Sequence, residues 1–286
     1  MKFPNRLLLG LFIFAPKNKK TERKLKIMKK RNFVVSLLVA LMMMGIMCTP
    51  AFAATESQLS LDTDSVALTK MLLDAEAGSI VVNAYGNSTA DVRAKMSEIQ
   101  AYVDAVSTTS TTPSVKGSII KTDAGNQVRF RIVAGDVENE FSDKEMETLA
   151  AAAGSTCESI SNYLCQELAY DKQAAASSKL SSTSNQATAK GALASGKAIC
   201  MGYSNAFCVL AENAGIRSVK VRGHLKDGGY HVLNMVEVDG ELFVLDVTAN
   251  DSWDRYTLFT MEEYAKATGF SPAIDADEAF ALKYAD

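Results

Sequence analysis

The sequence is short of histidine, of tryptophan and of any one-sided charge, and each shortage removes a class of function. Among 286 residues, 30 Lys+Arg against 33 Asp+Glu leave a net charge of −3, and aromatics make up only 8%. There is no sustained basic face, so nucleic acid is not an expected partner. The only two histidines, His224 and His231, lie seven apart across a glycine turn. With one nearby thiol they match no usual ligand spacing, so neither a metal nor a cofactor is expected. A single tryptophan, Trp253, leaves little for an aromatic cage. What remains, 48% hydrophobic and 22% charged, is ordinary globular composition with room for one sizeable core or two modest ones.

Positive charge does gather near the N-terminus, in the pattern of a leader. Met28-Lys-Lys-Arg31 reads as a charged n-region, Phe33 to Met47 as an apolar h-region and Ala51-Phe-Ala53 as a cleavage site. The apolar run is short for a membrane span, so no stable span is expected once residues 28–53 are removed. A lipoprotein reading through Cys48 is weakened by Met47, where a small residue is expected. Residues 1–27 read as an upstream extension, with Met28 as the expected start; the alternative is a two-segment membrane anchor. Secretion or cell-surface location follows as an expectation. Removing the leader leaves Cys157, Cys165, Cys200 and Cys208, an even number compatible with disulfides. Cys157/Cys165 and Cys200/Cys208 are each eight apart on predicted helices, about 12 Å and too far to bridge. Cross-pairs stay open, but small core residues are the preferred reading of Cys157, Cys165 and Cys208.

Two regions follow the leader. Residues 54–140 read as a small α/β region: a short helix over 66–73, a strand over 79–85 and a helix opened by Ser88 with Asp91. A hairpin follows around Asp123-Ala-Gly-Asn126, with Val128, Phe130 and Ile132 alternating against Arg129 and Arg131. Residues 141–286 hold the chemistry. Ser142 and Glu145 form a capping box for a long helix running to about Leu168, with a break near Gly154. Residues 173–190 read as a featureless surface loop, either a cover for the site or a linker. An apolar helix follows over 199–213, stopped by Gly215.

Cys200 stands where a Gly/Ser-rich loop gives way to that helix, a junction whose unpaired N–H groups favour thiolate. Downstream, Asp239-Gly240 separates two strand patterns. A two-residue turn there pairs Val238 with Glu241, Leu233 with Asp246 and His231 with Thr248. His231 and Asp246 then share one face as diagonal neighbours, along with Leu233, Met235, Leu242 and Val244, while a slip of one residue would separate them. Asp246 can hold one ring nitrogen while the other faces Cys200. His224 is the competing base, but it has no acidic partner at hairpin spacing and reads as a rim residue.

The segment Gly196-Lys-Ala-Ile-Cys200-Met-Gly-Tyr-Ser-Asn-Ala-Phe207 resembles the nucleophile segment of the transglutaminase-like superfamily. Ala214-Gly-Ile216, His231-Val-Leu-Asn234, Val244-Leu-Asp246-Val-Thr248, Asp251 and Tyr170-Asp171 fit as well, over about residues 141–260. The resemblance implies an α+β, papain-like fold with the nucleophile helix packed on an antiparallel sheet. It implies Cys200 as nucleophile, His231 as general base then acid, Asp246 as the orienting carboxylate, and the Cys200 N–H as an oxyanion donor. Leu233 and Ala249 stand where relatives carry tryptophan, and Trp253 reads as packing. The implied activity is an exported cysteine-dependent acyl-transfer enzyme, peptidase/amidase or transglutaminase, on protein or peptide amides, with a cell-wall peptide among the candidates. The alternative is a non-catalytic cell-surface binding module of the same fold.

Overall fold

Capping chemistry written into the sequence opens most of the longer helices. The computed structural model describes residues 59–108, 113–134, 140–179 and 181–284. The expected leader (28–53), the extension (1–27) and Cys48 lie outside them. Asp64 caps α1 (Ser65–Asp74), strand β1 (Ser79–Asn83) follows, and the Ser88/Asp91 capping box opens α2 (Thr89–Val106). Strands β2 (Ser114–Thr122) and β3 (Gly125–Val133) form the expected hairpin, and β3 lies between β1 and β2 in an antiparallel sheet. Val82, Val115, Val128 and Phe130 face Leu68, Leu72, Ile99 and Val103, while Arg129 and Arg131 point to solvent.

The expected long helix is two: α3 (Asp143–Ala153) and α4 (Cys157–Glu167), each with its own capping box. They part at Gly154, whose φ of 78° ends a right-handed helix. Strand β4 (Ala169–Tyr170) leads to α5 (Lys172–Ala175). The stretch 173–190 lies at the surface over residues 173–179 and 181–186, as its composition suggests, but its end does not. A 3-10 turn at Asn185–Ala187 leads into α6 (Ala189–Ser195), and Ala187, Thr188 and Ala189 are fully buried. Small side chains allow close packing here, and low complexity hid it. Strand β5 (Lys197–Ala198) runs parallel to β4 and delivers the chain to α7 (Cys200–Ala214), which Gly215 ends in the left-handed region at φ 75°.

Strands β6 (Ser218–His224), β7 (Tyr230–Val238) and β8 (Glu241–Leu245) form an antiparallel sheet that β9 (Ser271–Pro272) extends, in the order β8-β7-β6-β9. One face, with Val236 and Leu245, packs on Tyr203, Ala206, Phe207 and Leu210 of α7. Between β8 and β9 run α8 (Val247–Trp253) and α9 (Met261–Thr268), and α10 (Ala276–Tyr284) follows β9. The other sheet face carries Val219, Val221, Leu233, Met235 and Val244, and packs on Tyr264, Phe270 and Phe280. The sheet therefore sits between the α7 layer and the α9–α10 layer. This is the α+β arrangement expected, with the Cys200 helix laid on an antiparallel sheet.

Residues 56–286 form one compact unit. Asp104 of α2 meets Lys220 at 3.4 Å and also pairs with Arg222, both on β6. Tyr102 donates to Glu278 of α10 at 2.6 Å. No helix among the described residues is long and apolar enough to cross a membrane.

Candidate active site

Cys200 is the first residue of α7 and only 5% exposed. Its N-cap, Ile199, has no side chain able to accept from the first helical N–H groups. Ser88, Ser142, Thr156 and Thr260 do so in the other long helices. The α7 start therefore keeps unsatisfied donors beside a thiol. The buried turn before α6 wedges against this point: Ile199 N donates to Gln186 O at 2.9 Å, and Asn205 Nδ2 donates to Ala187 O at 2.7 Å. A Cβ on Gly202 would collide with the Gln186 carbonyl. Gly202→Ala is accordingly expected to push the Gln186 turn off the helix start. The cost should be about 1–3 kcal/mol of stability, measurable by chemical denaturation.

The hairpin forms in the expected register, with Val238 opposite Glu241 and Asn234 opposite Leu245. Asp239 (φ 53°) and Gly240 (φ 86°) both take the left-handed conformation of a type I′ turn. The ladder ends at the Asn234–Leu245 pair, so the expected Leu233–Asp246 and His231–Thr248 pairs do not form. Asp246 instead caps α8, its Oδ1 accepting Ala249 N at 3.0 Å, and Thr248 lies within that helix. Aspartate is among the best N-caps, and here capping outcompetes strand continuation. The diagonal relation survives: His231 Nε2 and Asp246 Oδ2 are 2.8 Å apart. An ionised carboxylate can only accept, so Nε2 carries the hydrogen. The same Oδ2 accepts the Tyr264 hydroxyl at 2.6 Å.

Burial alone would lower the His231 pKa. The hydrogen bond to Asp246, a second to Cys200 and the charges of both outweigh it, holding the imidazole up at about 10. With Nε2 on Asp246, Nδ1 is the nitrogen left for Cys200. Burial would raise Asp246, but His231, Tyr264 and the Ala249 N–H together hold its carboxyl below the ordinary 3.8. These shifts fix a pH window. The raised His231 contributes stability that is complete below 6.5 and lost as pH rises through about 10. The lowered Asp246 contributes above 3.8 and loses it as pH falls through its folded value. The stability advantage of the wild type over Asp246→Asn, followed by urea denaturation, should therefore be largest near pH 5–6 and shrink towards pH 10. A constant advantage across that range would contradict the pairing.

The structure thus brings Cys200, His231 and Asp246 together. His224 is exposed, with Nδ1 3.3 Å from Gly228 O, and does not line the cavity that holds His231 and Asp246. Trp253 departs from its expected packing role. It is 43% exposed and walls a cavity of about 430 Å³ whose lining includes His231, Asp246, Thr248 and Tyr264. Leu233 is fully buried between β7 and the α9–α10 layer, so it cannot wall the site as a tryptophan there would. Tyr170 and Tyr230 are 37% and 46% exposed. Burial and the nearby Cys200 charge raise both phenols, with Arg222 opposing the rise at Tyr230. Sequence reasoning missed Tyr264; the available signal was the Thr260/Glu263 capping box, which announces a helix just beyond the Asp246 strand. All four described cysteines are free, and no cluster among the described residues could hold a metal ion.

Comparison with curated proteins gives no match. Two solved structures share parts of the chain. One, titled as the crystal structure of a TGase, is 14% identical with a TM-score of 0.32, over 59% of this chain and 50% of that one. The other, titled "The Crystal Structure of a Putative Cysteine Protease from Cytophaga hutchinsonii to 1.9A", is 10% identical with a TM-score of 0.31, over 51% of this chain and 66% of that one. The chain spans about half the length of the first and just under two thirds of the second. Residues 136–247 match the model of the transglutaminase-like superfamily, and this segment holds the Cys200 helix and the His231–Asp246 hairpin. Over that segment, which is less than half of its length, the chain is similar to the transglutaminase-like superfamily.

Proposed function

We propose that the protein is an exported cysteine-dependent acyl-transfer enzyme acting on peptide or isopeptide amides, with Cys200, His231 and Asp246 as its catalytic residues. The observation that carries this reading is the 2.8 Å bond from His231 Nε2 to Asp246, with Cys200 close enough to the imidazole to raise its pKa and placed at the uncapped start of α7. In the proposed reaction the Cys200 sulfur attacks the substrate carbonyl, and the Cys200 N–H faces the developing oxyanion. The His231 Nδ1 proton passes to the leaving amine as the C–N bond breaks, leaving a thioester on Cys200. Water or a second amine then attacks the thioester, His231 taking its proton, and the thiolate departs. The exposed Tyr170, Tyr230 and Trp253 supply flat apolar walls for a peptide.

Mass spectrometry of casein and of a peptidoglycan stem peptide, incubated with the protein with and without a primary amine, tests the reading. Hydrolysed or transamidated product that disappears in Cys200→Ala supports it. Binding of either substrate without product favours a surface module that keeps the fold without turnover.

A further inference from the structure

Tyr264 lies beyond the segment that matches the superfamily, and nothing in the chemistry above requires it. Its ring is 98% buried, and its hydroxyl reaches Asp246 Oδ2 at 2.6 Å, the same oxygen that accepts from His231 Nε2. A buried carboxylate needs its lone pairs filled, and Asp246 fills them from three elements: β7 through His231, the first turn of α8 through Ala249, and α9 through Tyr264. The α9 helix is held in place by its own aromatics. Phe259 and Phe270 meet the Tyr264 ring edgewise at 5.9 and 5.7 Å, and Phe270 also meets the His231 ring edgewise at 6.4 Å. Burial and the Asp246 charge push the Tyr264 phenol far up, so it stays a donor across the working range.

We infer that Tyr264 is a positioning residue for the His231–Asp246 pair, so that the α9 segment, beyond residues 136–247, helps complete the site. Without the hydroxyl, Oδ2 keeps a single protein donor. The carboxylate then turns toward the water of the adjoining 430 Å³ cavity, and its hold on Nε2 loosens. The other charged groups around the ring are Cys200 and, across the cavity, Lys226 and Asp227 of the β6–β7 turn; the substitution leaves all three in place.

The test uses Tyr264→Phe, which keeps the ring and its aromatic contacts, with Tyr102→Phe as control. Tyr102 also donates to a carboxylate at 2.6 Å, Glu278, away from the site. The chain has only two histidines, so ¹⁵N-imidazole NMR gives two titrations, with exposed His224 as internal reference. In Tyr264→Phe the His231 midpoint should fall by about one pH unit, the size expected for losing one bond to a charged group. His224 should not move, and Tyr102→Phe should shift neither. A His231 midpoint that stays put or rises overturns the inference. The kinetic arm rests on the proposed cysteine chemistry: kcat should fall about ten-fold at unchanged KM. The NMR arm needs no turnover. If the wild type transfers no acyl group yet its His231 midpoint depends on Tyr264, the enzyme reading fails and the positioning role stands.

Discussion

His231→Ala is expected to reduce acyl transfer by roughly 10³-fold or more, about as much as Cys200→Ala. Members of a catalytic triad act as a unit, so losing either one forfeits nearly the whole of their joint contribution. In this protein the dependence follows from geometry. His231 joins Cys200 to Asp246, and its Nε2 is fixed by a 2.8 Å bond to a carboxylate that is 4% exposed. Alanine there leaves Asp246 buried with its Tyr264 and Ala249 donors but without its cationic partner. A fall in stability should therefore accompany the loss of rate. Asp246→Asn separates the two, because the amide keeps the volume of the carboxylate. It should retain most of the stability near pH 9 while losing most of the rate. Kinetics and urea denaturation on the same samples check this. Equal activity of His231→Ala and wild type would remove His231 from the mechanism.

The largest expected effect on stability lies away from the site. Asp104→Ala should cost about 3–5 kcal/mol, because it leaves the buried Lys220 and the partly buried Arg222 without their carboxylate. The Lys220 side chain is 1% exposed, and its other partner is the neutral Asn205 Oδ1 at 2.8 Å. For a unit of this size that corresponds to a fall in Tm of about 10 °C or more. Burial already pushes the Lys220 ammonium down to about 8, below its ordinary 10.5, so folding prefers it neutral. The penalty in Asp104→Ala should therefore ease as pH rises past 8, and adding Lys220→Met should recover part of it. Calorimetry of the three variants at pH 7 and 9 measures both effects. A loss below 1 kcal/mol would mean that the α2–β6 junction is held by its apolar contacts alone.

The lesson for sequence reading is uneven and follows from physics. The hairpin that joins His231 to Asp246 was legible because Asp239-Gly240 fixes a type I′ turn and alternation fixes the face. The Ser88/Asp91 and Ser142/Glu145 capping boxes announced their helices, and Gly154 announced the break between α3 and α4. Three features were hidden. The stretch 173–190 looked featureless because alanine, serine and threonine have no periodic apolar signal, yet that smallness lets Ala187 and Ala189 pack beneath the site. The end of β8 was misplaced because Asp246 satisfies strand register and helix capping equally well in sequence, and the cap won. Tyr264 was hidden because a side-chain contact across 18 residues and two turns leaves no local pattern. The missing tryptophans at 233 and 249 were legible, but the position of Trp253 in the wall of the cavity beside His231 and Asp246 depends on tertiary placement.

The central claim is that Cys200 is activated by His231 and not merely buried beside it. Substoichiometric iodoacetamide at pH 6, followed by peptide mapping of the cysteines, tests it in one sample. If exposure governed reactivity, Cys165 would lead, since it is the only described cysteine that is not buried. Burial and the Asp251 charge, however, push that thiol up to about 11. The account predicts that Cys200, although 5% exposed, is labelled first, and that His231→Ala abolishes its lead. Labelling that follows exposure, or a Cys200 lead that persists in His231→Ala, would contradict it.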